Sequence, residues 1–249
     1  MRLTRQLVLP LALCCLCSAC THYYYAPNTL YAPHVRQQHD TQASLGIIGG
    51  DEFNGWEGHA LYSPVKYAAV MVNHFQVRSR VGAGSSDPDW GKGHLSEIAL
   101  GGYLPFSEIN TFSLFGGWGG GRVVNYYDAN GRADLRFQRW FLQPNFTAQG
   151  QWARFGLSCR LNWLEYLQGD ITFDIGDQHL ETIRNIEENT PLFIPEVGLS
   201  FGFGHKPIWF DFHFNFNIMP DKQTYGFARS TVGLSLHCDI DHFWRPGGE

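Results

Sequence analysis

The sequence predicts an all-β fold: a single closed antiparallel transmembrane β-barrel of about ten strands, with eight or twelve strands as alternatives. Residues 208–218 alternate strictly between large apolar and polar side chains. Alternating runs recur from residue 41 to residue 240, and the connections between them are long and short in turn. The 249 residues also include 28 Gly and are 15% aromatic, which fits curved strands with aromatic girdles.

Segment 208–218 shows the strand pattern most clearly. One face of a period-two strand carries its large apolar residues, which are Ile208, Phe210, Phe212, Phe214, Phe216 and Ile218. The other face carries Trp209, Asp211, His213, Asn215 and Asn217. A soluble sandwich would need a second sheet to cover six large apolar groups. A strand in a bilayer instead turns them toward hydrocarbon and turns the polar groups toward the lumen.

Ten strands are predicted along the chain. Their ranges are 41–49, 54–63, 66–79, 94–104, 110–121, 134–148, 153–167, 192–203, 207–218 and 225–238. The short connections are 64–65, 105–109, 149–152 and 204–206, the long ones are 80–93, 122–133 and 168–191, and those at 50–53 and 219–224 are intermediate. Outer-membrane barrels have short periplasmic turns, long outer loops and an even number of strands. We therefore expect both ends of the barrel in the periplasm.

The polar faces of other strands predict a polar lumen. In strand 153–167, Phe155, Leu157, Cys159, Leu161 and Trp163 oppose Arg154, Gly156, Ser158, Arg160 and Asn162. An arginine that faces lipid at mid-membrane costs about 2–4 kcal/mol, so the polar set is expected to face inward. Aromatic residues near the strand ends predict two girdles. These are Trp56, Trp118, Trp140, Trp163 and Tyr166 at the outer rim, and Tyr62, Tyr67 and Tyr103 at the inner rim.

The N-terminal region predicts export and lipidation. Residues 1–19 form a signal peptide, with Arg2 and Arg5 before a short apolar stretch and small residues before Cys20. Lipidation of Cys20 is the favoured interpretation, and an ordinary secretory signal cleaved after Ala19 is the alternative. Residues 20–40, with three consecutive tyrosines, are interpreted as a lipid-anchored linker whose tyrosines suit a membrane interface. The barrel then covers 41–240, and 241–249 form a C-terminal tail.

Charge and composition exclude several classes of protein. Loss of two arginines with the signal changes the formal charge from −5 to −7, so nucleic acid is not expected as a partner. After the signal and Cys20, only Cys159 and Cys238 remain, both in apolar strand positions, and we interpret them as small hydrophobic residues rather than a disulfide. The mature chain has no apolar run of 18 residues, which excludes transmembrane helices.

The chain resembles small bacterial outer-membrane β-barrel proteins, a largely uncharacterised group, some of which are made as lipoproteins. The resemblance covers about residues 41–240 and rests on the strand pattern and on local features. These are Arg139, Gln143, Pro144 and Asn145 in one strand, and Pro195 and Glu196 after the longest loop. It implies a fold, a location and contact with outer-membrane lipids, but no activity.

Asp211 and His213 are the candidates for catalysis. They share the polar face of one strand, and a carboxylate that orients a histidine is half of a general-base arrangement. The alternative is a structural network in the lumen, which we favour because ten strands enclose a narrow interior. Its expected members are Arg139, Arg160, Glu196, Asp211, His213 and Arg229. No complete catalytic motif is present.

The longest loop, 168–191, is the candidate surface for a protein partner. Its acidic residues are Asp170, Asp174, Asp177, Glu181, Glu187 and Glu188. Residues 178–189 have apolar residues at helical spacing, which predicts a short amphipathic helix. A weak calcium site formed by Asp170, Asp174 and Asp177 and a simple solvated loop are the alternatives. A transition-metal site at His237, Asp239, Asp241 and His242 is also considered. The loop lacks the ligand register of calcium loops, and no metal or cofactor is predicted.

Three functional hypotheses follow. The first is a non-enzymatic membrane protein with a lumen filled by side chains, which acts as a structural or interaction protein through its outer loops. The second is a membrane-embedded hydrolase that uses Asp211 and His213. The third is a narrow pore lined by Arg139, Arg154, Arg160 and Arg229.

Overall fold

A computed structural model of the chain describes residues 23–50, 53–80, 90–127, 131–172, 175–218 and 225–243. The strands are β1 (Thr41–Gly50), β2 (Phe53–Val65), β3 (Ala68–Arg80), β4 (Trp90–Pro105), β5 (Asn110–Tyr127), β6 (Gly131–Gln149), β7 (Ala153–Thr172), β8 (Leu192–His205), β9 (Ile208–Asn217) and β10 (Ser230–Asp239). Helix α1 (Asp177–Asn189) lies between β7 and β8. Each strand pairs antiparallel with its neighbours, and β1 pairs with β10 to close the barrel. The predicted fold class is confirmed.

The strands on one side of the barrel extend further than predicted. β5 continues to Tyr127 and β6 begins at Gly131, so the loop predicted at 122–133 is mostly a paired hairpin. Valine, tyrosine and leucine in this stretch favour extended backbone. β7 likewise continues to Thr172, whereas β10 begins at Ser230 rather than at residue 225. We call the end of the barrel that carries the connections 81–89 and 173–191 the long-loop end, and the opposite end the short-turn end.

The outward face of the barrel is apolar, as a membrane-spanning barrel requires. β9 alternates strictly between exposed and buried residues along its whole length. The exposed large apolar residues include Leu45, Ile47, Ile98, Leu100, Phe210, Phe212, Phe214, Phe216, Val232, Leu234 and Leu236. Among the described residues, no helix is long and apolar enough to cross a bilayer, a finding that does not bear on β-barrels.

Aromatic residues form a continuous row around part of the barrel. Trp118 pairs with Trp140, Trp140 with Trp163, and Trp163 with Phe193, and all four side chains are exposed. The placement of Tyr166 and Tyr103 in the girdles is wrong, because both are buried on the inward face. The Tyr166 hydroxyl donates to a backbone carbonyl inside the barrel, and the Tyr103 hydroxyl hydrogen-bonds Ser63 Oγ.

The segment before β1 fills the lumen, and we call residues 23–40 the plug. At the long-loop end, Asn125 Nδ2 of β5 donates to the Tyr23 carbonyl, and the Tyr24 amide donates to the carbonyl of Gly226. At the short-turn end, the Ser63 amide near the end of β2 donates to the Asp40 carbonyl, and the His39 amide donates to the Ser63 carbonyl. The plug therefore runs the length of the barrel before the chain reverses into β1. The interpretation of Tyr24 and Tyr25 as membrane-interface residues is wrong, because each is 1% exposed within the lumen.

Helix α1 packs on the long-loop end of the plug, and the predicted helix is confirmed. Its Ile183 and Ile186 are fully buried in an apolar cluster with Tyr24 and Phe137. A second apolar cluster surrounds Tyr31 further along the plug. Polar and charged side chains occupy the lumen between these clusters.

Candidate functional site

The centre of the lumen is a buried network of two arginines and two glutamates. Arg139 on β6 donates through Nε to Glu97 Oε1 at 2.6 Å, and its Nη1 lies 4.0 Å from Glu196 Oε1 on β8. Arg160 Nη1 on β7 lies 3.5 Å from Glu97 Oε2. The four side chains are buried and their formal charges cancel, which is the condition for burying ions at acceptable cost.

The plug completes this network with two residues. Asn28 Oδ1 accepts from Arg139 Nη2 at 2.6 Å and from Arg160 Nη1 at 3.0 Å. The Tyr25 hydroxyl donates to Glu196 Oε1 at 2.6 Å and accepts from Arg139 Nη1. Each plug residue therefore bridges two wall strands, so the plug and the barrel wall form one polar core.

A second cluster joins β2, β3 and the plug. Glu57 accepts hydrogen bonds from both the backbone N–H and the hydroxyl of Thr29. His59 Nε2 lies 3.5 Å from Glu57, and its Nδ1 is 2.9 Å from Asn73 Oδ1. Asn73 in turn donates to Glu97 Oε2 at 3.3 Å, so this cluster is continuous with the central network.

Asp211 and His213 are not arranged as a catalytic pair. Both oxygens of Asp211 accept from Arg154, through Nε at 2.6 Å and through Nη2. His213 Nε2 lies 2.9 Å from Ser235 Oγ, but its Nδ1 has no hydrogen-bond partner in the described part of the chain. All of these groups except Arg154 are nearly fully buried beside the plug. In the described residues, Asp211 therefore does not orient His213 as the acid of a general-base pair would.

His237 and Asp239 belong to a hydrogen-bond network at the short-turn end. His237 Nε2 lies 3.3 Å from Asp239 Oδ1, and Trp209 Nε1 donates to Asp239 Oδ2 at 3.2 Å. The Tyr31 hydroxyl of the plug contacts His237 Nδ1 at 3.4 Å. In the described ranges, no group of three or more His, Cys, Asp or Glu side chains is arranged to hold a metal ion.

The turn that ends the plug is fixed by Asp40. Its Oδ2 accepts the backbone N–H of Arg36 at 2.7 Å and that of Gln37 at 3.0 Å. Burial raises the pKa of the Asp40 carboxyl, and the two backbone donors oppose this rise. The turn therefore directs the chain from the lumen into β1.

The structure brings five of the six predicted network residues into the lumen. Arg139, Arg160, Glu196, Asp211 and His213 are all buried there. Arg229 is exposed and precedes β10, so its assignment to the lumen face is wrong. β10 begins at Ser230, one residue after Arg229, so Arg229 lies before the part of the strand that alternates.

The acidic residues of 168–191 lie on the exposed side of the long-loop end. Asp170, Glu181, Glu187 and Glu188 are exposed, while Asp177 begins α1 and Asp174 lies outside the described residues. The apolar face of α1 is buried, so its acidic face is presented outward.

Sequence reasoning missed Glu57, Glu97 and the plug. Both glutamates occupy inward positions in the alternating pattern of β2 and β4, so the strand pattern alone could have placed them in the lumen. The plug gave no such signal, because its contacts come from an irregular backbone. One indirect signal is the inward-facing Gly198, where a Cβ atom would lie 2.8 Å from Leu30 Cβ of the plug.

Fold and site together define this protein as a transmembrane β-barrel whose lumen is closed by its own N-terminal segment. No protein-family model matches the chain, and no curated protein matches it. Among solved structures, it is similar to CdiB from Acinetobacter baumannii, at 9% identity and a TM-score of 0.25. The match covers 82% of this chain and 60% of the CdiB chain.

Proposed function

We propose that this protein is a non-conducting outer-membrane lipoprotein whose barrel anchors an acidic surface for a protein partner. The observation that carries the proposal is the plug, which hydrogen-bonds to eight of the ten strands, namely β1, β2, β5, β6, β7, β8, β9 and β10. In the described part of the chain, the plug fills most of the lumen, which argues against a permeation path and against a large substrate cavity. The function then resides on the surfaces outside the membrane.

The closed barrel supports a location in the bacterial outer membrane. It has an even number of antiparallel strands, an apolar outward face and an aromatic row, which are the features of barrels in that membrane. In such barrels the short turns face the periplasm. The long-loop end, with α1 and the first residues of the plug, would then face the cell exterior.

The direction of the plug determines which leaflet a lipid on Cys20 would enter. Cys20 lies outside the described residues, but it precedes Tyr23 by three positions, and three extended residues span at most about 11 Å. The hydrocarbon core of a bilayer is about 30 Å thick. A lipid on Cys20 would therefore enter the outer leaflet at the long-loop end, rather than the periplasmic leaflet.

An epitope tag inserted between His22 and Tyr23 is expected to be accessible from outside intact cells. The reason is that the plug enters the lumen from the long-loop end. Protease added to whole cells should remove the tag, whereas the same tag after Glu249, which follows β10 at the short-turn end, should remain until the outer membrane is permeabilised. Protection of the N-terminal tag alongside the C-terminal tag would refute this topology.

The exposed face of α1 supports binding of a basic partner. Glu181, Glu187 and Glu188 are exposed with a single exposed cation, Arg184, so this face carries a formal charge of −2. Acidic surfaces of this kind favour association with positively charged partners. The helix is held by its buried isoleucines, so the charged face can be altered without disturbing the core.

Replacing Glu181, Glu187 and Glu188 together by Gln is expected to abolish recovery of a stoichiometric partner. The measurement is a gentle-detergent pull-down of a tagged copy from native outer membranes, with bound proteins identified and counted. Glu108→Gln, an exposed carboxylate at the short-turn end, is the control and should retain the partner. A clean monomer from unmodified protein, or a partner retained by the triple variant, would contradict the proposal.

A further inference from the structure

Two cations face each other on the outside of the barrel at the long-loop end. Arg78 on β3 is the direct cross-strand partner of Lys92 on β4, and both side chains are exposed. Their chain neighbours Val77 and Gly91 are buried, so Arg78 and Lys92 lie on the outward face of their strands. Like charges directly opposite each other in a sheet are destabilising unless an anion lies between them.

Neither cation has an acidic partner within the described ranges. On the adjoining strands, Asn54 of β2 pairs with Arg78 and Val124 of β5 pairs with Lys92. Among the described residues, the next strand along this register carries Asp134, which pairs with Val124 and already binds Arg122 and Arg132. Within the described residues, no carboxylate neutralises the positive charge of the pair.

The pair lines an open groove on the outward surface. The groove has a volume of about 420 Å³ and is lined by Asn54, Arg78, Ser79, Trp90, Gly91 and Lys92. Lys92 Nζ lies 5.7 Å from the centre of the Trp90 ring, and that ring stacks on Tyr126 at 4.0 Å. Two cations, an amide and a fixed indole thus surround a space large enough for a phosphate-bearing group.

The groove lies close to Trp56, an exposed aromatic residue of the type that marks membrane interfaces. Trp56 is in register with Gln76, two residues below Arg78 along β3, and a two-residue step along a strand is about 7 Å. Further toward the membrane centre, the same outward faces carry exposed Val72, Ile98 and Leu100. A phosphate in the groove could therefore belong to a molecule whose acyl chains lie along these apolar residues.

We propose that this groove is a binding site for the phosphate of a membrane lipid in the leaflet at the long-loop end. Arg78 supplies a guanidinium fork that matches phosphate oxygens, and Lys92 adds a point charge from the neighbouring strand. Trp90 and Asn54 contact the polar part of the same headgroup. The site lies outside the lumen and does not depend on the partner proposed for α1.

Native mass spectrometry of the detergent-purified full chain tests the site. The barrel is titrated with dimyristoyl phosphatidic acid and, separately, with dimyristoyl phosphatidylcholine, which has the same acyl chains. We expect the phosphatidic acid adduct to form at a concentration about tenfold lower. The double variant Arg78→Gln/Lys92→Gln should lose this preference, because it removes both charges and retains side chains of similar length.

A matched variant controls for net charge. Lys66→Gln/Arg184→Gln also removes two exposed cations, both away from the groove, and should keep the preference. Heat-modifiable gel mobility verifies that each variant is folded. Equal adducts for the two lipids, or a preference that survives in Arg78→Gln/Lys92→Gln, would overturn the proposal. Displacement of the lipid by excess inorganic phosphate would overturn the assignment to lipid and indicate a site for free anions.

Discussion

Replacing Arg139 by Met is expected to lower the free energy of unfolding by about 3–5 kcal/mol, the usual cost of removing one partner of a buried ion pair. Arg139 is fully buried and is the group that links Glu97 to Glu196. Without it, Glu97 and Glu196 remain in the central network with Arg160 as its single arginine. Urea unfolding of the reconstituted barrel, followed by tryptophan fluorescence, measures the change.

Arg136→Met is the matched control for this prediction. Arg136 precedes Arg139 by three residues on β6, but its side chain is exposed on the outward face. The control should unfold within about 0.5 kcal/mol of the native protein, as most surface substitutions do. Adding Glu97→Gln to Arg139→Met should recover part of the loss by removing one unpaired charge. If both single variants unfolded at the same urea concentration, the central network would not contribute to stability.

Replacing residues 23–38 by a Gly/Ser sequence of equal length is expected to turn the closed barrel into an ion-conducting one. The plug occupies the lumen from end to end, and a flexible polar chain cannot reproduce its contacts. Among the described residues, the wall charges that face the lumen are Arg139, Arg154 and Arg160 against Glu57, Glu97, Glu196, Asp211 and Asp239. The opened lumen therefore carries a formal charge of −2, and its current should favour cations. Planar-bilayer recordings measure both properties.

The unmodified chain and the α1 triple variant serve as controls in the same recordings. Both keep the plug, so both should remain silent. A plug-less barrel that folds but conducts no ions would show that the wall side chains close the lumen unaided. A preference for anions would instead restore the earlier expectation of an arginine-lined pore.

The barrel could be predicted from the sequence because its pattern is physical and repetitive. A strand between lipid and a polar lumen must alternate, and 208–218 does so without exception. Helix α1 was predictable for the same reason, since Leu180, Ile183 and Ile186 recur at the spacing that buries one face. Strand ends are harder to predict. The hairpin of β5 and β6 continues beyond the apolar band, and there the alternation of apolar and polar residues no longer marks which face is outward.

The site was only half predictable. Alternation places Arg139, Arg160 and Glu196 inside, but no local pattern states which of them meet or what lies between them. The plug shows no periodic sequence pattern, because its residues hydrogen-bond different wall side chains. Asn28 accepts from two arginines, and Thr29 donates to Glu57. The plug's consecutive tyrosines are as typical of a membrane interface as of a barrel lumen. Only the closed barrel, seen in three dimensions, shows that these tyrosines lie in the lumen and not at the membrane interface.

The order of the chain has a consequence for assembly. The plug precedes every strand, yet it ends up inside the ring that forms when β1 meets β10. The last two strands hold it directly, since Asn215 donates to the Asn28 carbonyl and Thr231 to the Pro27 carbonyl. If Cys20 is acylated as proposed, its acyl chains cannot pass through a lumen that side chains already fill. We therefore expect the plug to be in place before β1 pairs with β10, so that the sheet closes around it.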